Sequence, residues 1–339
     1  MLAELCDKGS SSLAQKDLLF DSGIYPVYGA AGEITKVDFF HQSKPYLGLI
    51  KDGAGVGRVM QLPANSSVIG TIQYLFPREN VDLKYLYYLI KYLDLGKSNT
   101  GATIPHIYFK DYKKRKVKVR EYSEQKHIGQ ILELIDSHLS TYKNVLDQYD
   151  LLIKSRFVEL FGDVVLNTLN WPLVKLSDIA EYRIGLTYKP EAVSSSGIAV
   201  LRSGNIQNSQ LCYEDTIYVN SKVESKMLLK KHDILMCARN GSKSLVGKVA
   251  LIEDDVLNTT YGAFMMAISS KYYVYLFEYF RSQAFRRLIS VGSTTTINQV
   301  TTKMLNSVVI PLPDIDTVNR FALYHSQINK LKFVQIVYN

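Results

Sequence analysis

The sequence contains an internal repeat, and this repeat limits the fold more than any other feature of the chain. Residues 56–59 read VGRV, and residues 246–249, 190 positions later, read VGKV. Further matches keep the same order along the chain: Leu2 with Leu176, Gly23 with Gly197, Gly70 with Gly262, and Ile104 with Ile297. Two diverged copies of one domain produce such an ordered series. The separation grows from 174 to about 190 residues, which predicts an insertion in the second copy between Gly197 and Gly241.

Each copy shows the same succession of local patterns. Short β-rich segments with turn glycines come first, then a helix rich in tyrosine, leucine and phenylalanine, and then a closing strand. The helices are predicted over 82–93 and 272–288, and the closing strands over 117–120 and 308–313. We therefore predict an α+β fold in which two repeated domains combine mixed β-sheet with helices.

A glycine-rich loop, GAGVG at residues 53–57, raises the question of nucleotide binding. A phosphate-binding P-loop needs Lys and then Ser or Thr after its last glycine, whereas Arg58 and Val59 follow Gly57 here. A dinucleotide-binding loop opens a helix, but residues 59–62 favour a short strand that ends in a turn. The pattern therefore predicts a hairpin whose glycines adopt backbone angles that other residues rarely reach.

Residues 123–161, after the first copy, carry the pattern of one long helix. Apolar residues recur every seven positions in two series, which together form a continuous stripe. The first series is Leu132, Leu139, Leu146, Ile153 and Leu160, and the second is Ile128, Ile135, Tyr142 and Tyr149. Such a stripe requires a partner helix.

The second copy supplies a partner helix from Asp316 onwards. This segment matches the first helix at a separation of 193 residues, with Phe321 and Ile328 on its apolar stripe. It stops at Asn339, the counterpart of Leu146, so the second helix is the shorter one. We predict that the two helices pack antiparallel as a coiled coil, which both separates and joins the two domains.

The balance of charge favours a polyanionic partner. The chain has 40 basic and 32 acidic residues, a formal net charge of +8. Such an excess suits nucleic acid, although it also serves solubility alone. Seven positive charges lie within residues 110–120, KDYKKRKVKVR. We predict that Lys113, Lys114 and Lys116 contact DNA phosphates; the alternative is a solvated strand edge, where lysines discourage pairing with other strands.

No motif for catalysis or metal binding stands out. The six histidines lack the spacing of a zinc site, and the three cysteines stand apart from one another. The nine prolines include no Pro-Pro pair, which an amino-methyltransferase would need to hold a flipped base. Neither a signal peptide nor an apolar run of membrane-spanning length is visible. We expect a soluble, cytoplasmic and non-catalytic protein without a metal or cofactor of its own.

The repeated motifs together carry more information than any one of them. They are the domain starts LAEL and LSDI, the hairpins GVGRV and VGKV, the segments GATIPHI and TTTINQV, the closing PLP, and EQKHIGQILELID followed by KSRFVELFGD. In this order they resemble the specificity subunit of type I DNA restriction-modification enzymes. The resemblance covers essentially the whole chain, although the first copy lacks the WPLVK segment that begins at Trp171.

The resemblance implies two target-recognition domains, 1–120 and 164–313, each of which reads one half of a split site in double-stranded DNA. The central conserved helix, 121–163, and a shortened C-terminal helix, 314–339, would dock two modification subunits and set the gap between the half-sites. Adenine methylation with S-adenosylmethionine would belong to the modification subunits. Translocation and cleavage with ATP and magnesium would belong to the restriction subunits.

Polar loop residues are the candidates for reading bases, because Arg, Lys, Asn and Thr offer the hydrogen-bonding groups that major-groove edges require. The candidates in the first domain are Lys51, Arg58, Asn99, Thr103 and His106. Those in the second domain are Arg202, Asn205, Arg239, Asn240, Lys243, Thr295 and Asn298. The apolar helix positions given above are the candidates for the helix–helix and partner interface.

Two other functions remain open at this point. The short second helix is compatible with a coiled-coil assembly factor, or an inactive truncated specificity subunit, that does not read DNA; purification with bound partners would discriminate these possibilities. A solitary methyltransferase or nuclease is the third interpretation, which methyl transfer by the isolated chain would support.

Overall fold

A computed structural model describes residues 1–18, 22–98, 105–291 and 298–337. The chain divides into two compact units, Met1–Tyr142 and Lys143–Asn339. The border between the units falls inside the long central helix, so each unit includes part of that helix. The units are described one at a time below.

The first unit is built on an antiparallel sheet with a smaller sheet beside it. The order in the larger sheet is β1-β7-β4-β5, and in the smaller one β3-β2-β6. Strand β4 is apolar and buried along its whole length because strands flank it on both sides. The strands are β1 (Cys6–Ser10), β2 (Tyr25–Gly29), β3 (Gly32–Val37), β4 (Tyr46–Ile50), β5 (Val59–Leu62), β6 (Ser67–Val68) and β7 (Ile72–Pro77).

The second unit repeats this arrangement. Its larger antiparallel sheet has the order β16-β15-β18-β9, and β10-β14-β11-β17 form the counterpart of the smaller sheet. Strand β15, which corresponds to β4, is likewise fully buried. The strands are β8 (Leu173–Lys175), β9 (Glu181–Ile184), β10 (Val193–Ser194), β11 (Ile198–Leu201), β12 (Ile206–Gln207), β13 (Gln210–Leu211), β14 (Ile217–Val219), β15 (Ile234–Cys237), β16 (Val249–Leu251), β17 (Thr259–Tyr261), β18 (Met265–Ser269) and β19 (Val309–Pro311).

Strand pairing shows that the repeat in the sequence is a repeat of topology. Strand β2 pairs with β3 antiparallel and with β6 parallel, and β11 pairs with β14 antiparallel and with β17 parallel. In the first unit a tight turn joins β2 to β3, whereas in the second unit the β12–β13 hairpin lies between β11 and β14. The insertion predicted between Gly197 and Gly241 is therefore confirmed.

Three of the four predicted helices agree with the structure, and one differs. Helix α1 begins after Asp82, whose carboxylate accepts a hydrogen bond from the Tyr85 backbone N–H at 2.9 Å, as an N-cap does. The predicted helix 272–288 is interrupted at Ser282, where the backbone is extended. The helices are α1 (Leu83–Leu93), α2 (Phe109–Tyr112), α3 (Tyr122–Phe161), α4 (Tyr273–Arg281), α5 (Gln283–Val291), α6 (Thr302–Ser307) and α7 (Ile315–Val337).

The closing segments of the two copies differ in structure. Residues 309–311 form strand β19, which pairs with β8. The predicted strand over 117–120 is wrong, because these residues are in coil. The backbone carbonyls of Lys113 and Arg115, just before them, accept hydrogen bonds from the backbone N–H groups of Ala3 and Leu2 at 3.1 and 3.0 Å. These bonds fix the segment against the start of the chain without a strand.

Within the second unit, the last part of α3 packs antiparallel against α7. Phe161 lies against Phe321, near the start of α7, with ring centroids 5.3 Å apart. Further along, the Lys332 ammonium donates to the Asp150 carboxylate at 2.6 Å. The predicted α+β fold, with repeated domains and antiparallel helices, is confirmed. None of the described helices is both long enough and apolar enough to cross a membrane.

Candidate nucleic-acid interface

In the first unit, the loop between β4 and β5 is closed at its neck by two backbone hydrogen bonds. The Ile50 N–H donates to the Arg58 carbonyl at 2.9 Å, and the Gly57 N–H donates to the Ile50 carbonyl at 2.8 Å. Gly57 has φ +86°, and a Cβ at this position would collide with the backbone of Gly96. Only glycine meets both requirements. The glycine-rich segment is therefore the predicted hairpin.

A second segment, residues 105–107, lies along this loop. The Ile107 N–H donates to the Lys51 carbonyl, and the Gly53 N–H donates to the Pro105 carbonyl, both at 3.0 Å. The Asp52 carboxylate pairs with Nδ1 of the His106 ring. Lys51 and His106 are thereby placed on neighbouring segments. Asn99 and Thr103 lie outside the described residues.

Arg58 has a structural contact in addition to its charge. Its guanidinium donates to the carbonyl of Ala30, in the turn between β2 and β3. The side chain remains exposed. Arg58 therefore connects two loops of the first unit, and this role accounts for its place beside the structural Gly57.

The second unit builds the same loop framework. The Gly247 N–H donates to the Cys237 carbonyl and the Cys237 N–H to the Lys248 carbonyl, both at 2.8 Å. The Val300 N–H donates to the Ala238 carbonyl at 2.7 Å, as Ile107 does to Lys51 in the first unit. Gly247, like Gly57, has a positive φ, +78°. Both units thus present a hairpin loop with a second segment bonded along it.

Four of the predicted residues of the second unit line one cleft of about 600 Å³, namely Arg202, Asn205, Arg239 and Asn240. The Arg239 guanidinium lies over the Phe264 ring, 5.4 Å from its centroid. Asn240 Nδ2 donates to the Ser203 hydroxyl at 3.1 Å, which orients the amide. The cleft therefore combines fixed hydrogen-bonding groups with an aromatic face.

Arg202 lies on the inserted segment of the second copy. Its guanidinium donates to the Asp215 carbonyl at 3.1 Å, which ties the two ends of the insertion together. The side chain is exposed, so its other N–H groups remain accessible to a ligand. The insertion predicted from the repeat thus contributes one wall of the cleft.

Asn205 also lines this cleft, but its amide is already used within the insertion. The residue is 1% exposed. Its Oδ1 accepts from the Arg202 backbone N–H at 2.8 Å, and its Nδ2 donates to the Cys212 carbonyl at 2.8 Å. The prediction that Asn205 reads bases is therefore corrected, because its buried amide holds the insertion in shape.

Lys243 and Asn298 line a second cleft, of about 580 Å³, beside the same loop. Lys243 is exposed. Asn298 Nδ2 donates to the Gly241 carbonyl at 3.4 Å, and its own carbonyl accepts from the Asn240 N–H at 3.4 Å. Asn298 thus positions the loop that carries Asn240. Thr295 lies outside the described residues.

The structure of the basic run excludes one of the two alternatives that the sequence left open, the strand edge. Residues 109–112 are helical, and the residues after Lys114 are in coil, so the run is not the edge of a sheet. Lys114 and Lys116 are exposed, while Lys113 is half-buried. The run is therefore a surface segment that presents positive charge to solvent.

The predicted helix interface is buried at one end only. Ile153, Phe321 and Ile328 are buried. Half-buried positions of the stripe are Ile128, Leu132, Tyr142, Leu146, Tyr149 and Leu160. Two are exposed, Ile135 at 47% and Leu139 at 53%. Ile135 lines a groove between α1 and the first part of α3 in the first unit. That Ile135 and Leu139 belong to a helix–helix or partner interface stays a prediction.

The contact between α3 and α7 also uses two residues outside the seven-residue series, Phe157 and Phe161. Phe157 stacks on Tyr275 of α4 at 5.6 Å and meets Phe321 edge-on at 5.6 Å. Phe161 contacts the same two rings. With Ile153 these residues are spaced by four, which is the spacing of a helix face packed on a globular domain. The FVELF motif at residues 157–161 contains this spacing, which the seven-residue series leaves out.

A buried polar network, also missed from the sequence, joins α4 to both long helices. Glu278, 6% exposed, accepts from Arg281 Nη1 at 2.6 Å and lies 3.6 Å from His325 Nε2. Arg281 also lies 3.8 Å from Asp150, which binds Lys332. Burial alone would raise the pKa of Glu278, but the neighbouring His325 and Arg281 outweigh it and lower this pKa.

A family model provides the first comparison with known proteins. The model described as the type I restriction modification DNA specificity domain matches residues 1–148 and 169–332. The match confirms the resemblance inferred from the repeated motifs. Specificity subunits carry no catalytic centre of such enzymes, so the prediction of a non-catalytic subunit is confirmed with it.

Individual relatives agree with this assignment. The chain is 22% identical over 296 residues to the type I restriction enzyme MjaVIII specificity subunit of Methanocaldococcus jannaschii, which covers 79% of this chain and 68% of that subunit. It is 24% identical over 154 residues to the EcoKI specificity subunit of Escherichia coli, covering 43% and 33%. The crystal structure of the type I S subunit from M. genitalium matches 99% of this chain and 92% of that chain, with a TM-score of 0.62 and 17% identity.

Proposed function

The chain belongs to the type I restriction-modification DNA specificity family, and we propose that each of its two domains reads one half of a bipartite target in double-stranded DNA. The observation that carries this proposal is the loop framework common to both units. Each unit presents a glycine-closed hairpin loop with a second segment bonded along it. Two domains that share this loop framework but carry different loop side chains are suited to a target whose two halves differ in sequence.

The side chains at these loops have the chemistry of base recognition. Arginine can donate two hydrogen bonds to guanine, and asparagine can pair with adenine, in the major groove. In the second unit, Arg239 and Asn240 lie at the end of β15, and Arg202 faces the same cleft. In the first unit, Lys51, Arg58 and His106 lie around the corresponding loop. Lys114 and Lys116 are suited to phosphate contacts that carry no sequence information.

The exposed apolar residues of the long helices support a role in assembly. Isolated exposed apolar residues are ordinary, but a series along one element marks an interaction surface. On α3 these residues include Leu151, Leu152 and Val158, and on α7 they include Leu323 and Phe333. We propose that they dock two modification subunits.

The chemistry of the complex belongs to its other members under this proposal. Modification subunits bind S-adenosylmethionine and methylate adenine, and restriction subunits use ATP and magnesium. This chain supplies the sequence reading and the docking surface, and needs no cofactor for either task.

An alanine variant in the second unit tests this proposal. Arg239→Ala should relax or change the recognised bases in one half of the target and leave the other half unchanged. A side chain that makes two hydrogen bonds to a base contributes about 1–3 kcal/mol of discrimination. The measurement is the methylated motif, read across the genome of a host that also expresses the modification subunits.

Lys226→Ala is the matched control. Lys226 is an exposed cation of the same unit, paired with Glu224 at 2.7 Å, and it does not line the cleft. This variant should leave both half-sites unaltered. If Arg239→Ala also preserves the complete motif at wild-type efficiency, the cleft does not read bases. If Arg239→Ala prevents assembly of the complex but leaves DNA binding unchanged, the assembly-factor alternative is favoured instead.

A further inference from the structure

Phe264 is an exposed aromatic residue that lines the cleft with Arg239 in the second unit. It lies in the turn between β17 and β18, and it is 61% exposed. Its carbonyl accepts hydrogen bonds from the backbone N–H groups of Ala238 and Arg239 at 2.9 and 3.0 Å. The backbone therefore fixes Phe264 beside Arg239, while its ring stays open to a ligand.

Arg239 is held by the ring and keeps its hydrogen-bond donors. Its guanidinium lies 5.4 Å from the centroid of the Phe264 ring. The side chain is exposed, and among the residues that the structure describes none accepts a hydrogen bond from it. The ring contact restricts the orientation of the guanidinium, and its N–H groups remain available to a base.

Hydrogen bonds identify the equivalent of Phe264 in the first unit. Ala238 directly follows β15, and its N–H donates to the Phe264 carbonyl. Lys51 directly follows β4, and its N–H donates to the Thr71 carbonyl at 3.0 Å. Thr71 therefore occupies the position of Phe264. Thr71 is also exposed, so this position faces solvent in both units.

The neighbouring position differs between the units as well. Arg239 forms an isolated antiparallel bridge with Gln299. Asp52 forms the same bridge with His106, and its carboxylate pairs with the His106 ring. Equivalent backbone positions thus carry Arg239 and Phe264 in one unit and different side chains in the other. Side chains that differ at exposed positions of a shared framework are those that can give the two domains different specificities.

An arginine beside an apolar ring matches two groups in the major groove. Arginine donates two hydrogen bonds to O6 and N7 of guanine, and an apolar side chain contacts the 5-methyl group of thymine. Successive bases of a strand lie about 3.4 Å apart along the helix axis. The 5.4 Å between the Arg239 guanidinium and the Phe264 ring therefore suits two neighbouring base pairs.

We propose that Phe264 is a specificity-determining residue, which binds the 5-methyl group of a thymine next to the guanine that Arg239 contacts. This inference rests on the proposed DNA reading and adds a base that the cleft selects. Thymine places its methyl group against the ring and removes apolar surface from water. Cytosine presents an amino group at this edge and has no methyl group, so it would leave the ring against a polar donor.

The probe is a DNA duplex with the methylated motif of the host, in which one thymine at a time is replaced by uracil. Uracil pairs with adenine as thymine does and lacks only the 5-methyl group. Binding of the complex of the full chain with its modification subunits is measured by fluorescence anisotropy. In the half-site that Arg239→Ala alters, we expect one uracil to weaken binding about three- to fivefold, the effect of one methyl group lost from an apolar contact. A half-site without a thymine next to a guanine, or without any effect of uracil, would overturn the proposal.

Variants of the chain assign the methyl contact to the ring. Phe264→Ala should bind the thymine and uracil duplexes equally, whereas Phe264→Leu keeps an apolar surface and should keep part of the preference for thymine. Leu257→Ala is the matched control, because Leu257 is 87% exposed and does not line the cleft, and it should keep the full preference. If Phe264→Ala weakens binding to both duplexes by the same factor, or has no effect, the ring does not contact the methyl group and the inference is wrong.

The same titrations separate this inference from the proposed function. If the wild-type complex binds the motif no better than a duplex of shuffled sequence, DNA reading itself is disproved. If the wild type prefers the motif but Phe264→Ala keeps the wild-type ratio of thymine to uracil affinities, only the role of Phe264 is disproved.

Discussion

Two asparagines beside the cleft of the second unit have different capacities to bind a ligand. Asn205 is buried, with both ends of its amide hydrogen-bonded to the insertion. The Asn240 side chain makes a contact with Ser203 and accepts from the Ser242 N–H at 2.9 Å, at a loop that borders the open cleft. The first amide stabilises the wall of the cleft, and the second borders the open cleft, where our proposal assigns it to base reading.

This difference predicts opposite effects of two alanine substitutions. Asn205→Ala should lower the free energy of unfolding by about 1–3 kcal/mol, because it leaves buried backbone groups without partners. Asn240→Ala should lower it by less than Asn205→Ala does, because Asn240 is only half-buried, while it weakens discrimination at one half-site. Urea unfolding of both variants measures the first effect. Equal stability of the two variants would show that the buried amide is not required.

The Glu278 network makes the stability of the second unit depend on pH. Burial opposes ionisation of Glu278, but His325 and Arg281 lower its pKa below the ordinary value of 4.5. Asp150 and Lys332 are the other charged groups of the network. A carboxyl group with a lowered pKa stabilises the fold above about pH 4.5, and this stabilisation is lost as the pH falls through the folded-state pKa.

Glu278→Gln should therefore be less stable than the wild type at neutral pH, and its stability should fall less steeply below about pH 4.5. The measurement is the urea midpoint between pH 3 and pH 7. Glu224→Gln, at an exposed pair with Lys226, is the control and should retain the wild-type profile. A Glu278→Gln profile parallel to that of the wild type would assign the acid sensitivity to other groups.

At the scale of elements, the junction of α3, α4 and α7 depends on a cluster of aromatic rings. Phe157 contacts Tyr275, Phe161 and Phe321. Its neighbour Val158, about 100° further around the helix, is 60% exposed. Two adjacent residues of α3 thus occupy a core position and a surface position.

Phe157→Ala should cost about 3–5 kcal/mol, because it removes a large ring from a packed core and leaves a cavity. Val158→Ala should change the free energy of unfolding by less than about 0.5 kcal/mol. Combined with Phe321→Ala, the Phe157 substitution should cost less than the sum of the two single effects, because the two rings share a contact. Thermal or urea unfolding of the set measures these values. Additive costs would mean that the two rings are independent.

Elements that are determined by nearby residues could be predicted from the sequence. Elements that depend on contacts between distant residues could not. The hairpins were recognisable because Gly57 and Gly247 need a positive φ, which leaves a mark at matching places in both copies. The segment 117–120 has a strand pattern, but the preceding backbone is bonded to residues 2 and 3, which no local pattern reveals. The seven-residue series on α3 does not include Phe157 and Phe161, which together with Ile153 form a four-residue spacing and pack against α4 and α7.

At the scale of the whole molecule, the same domain architecture occurs twice with different loop side chains. The units share strand pairing, a glycine-closed hairpin and a tyrosine that ties the helix to the closing segment. They differ in the β12–β13 insertion and in the residues at the loops. A shared framework with divergent loops fits our proposal that each domain reads its own half-site, since phosphate contacts position a protein on DNA and base contacts specify the sequence.

The most direct test replaces residues 164–313 with the corresponding domain of a specificity subunit that recognises another target. The helices and the first domain stay as they are, and the chimaera is expressed with its modification subunits. The adenine-methylation motif is then read across the host genome. Our account predicts that one half of the motif changes to that of the donor while the other half is retained. A motif in which both halves change, or neither does, would contradict the claim that the two domains read independently.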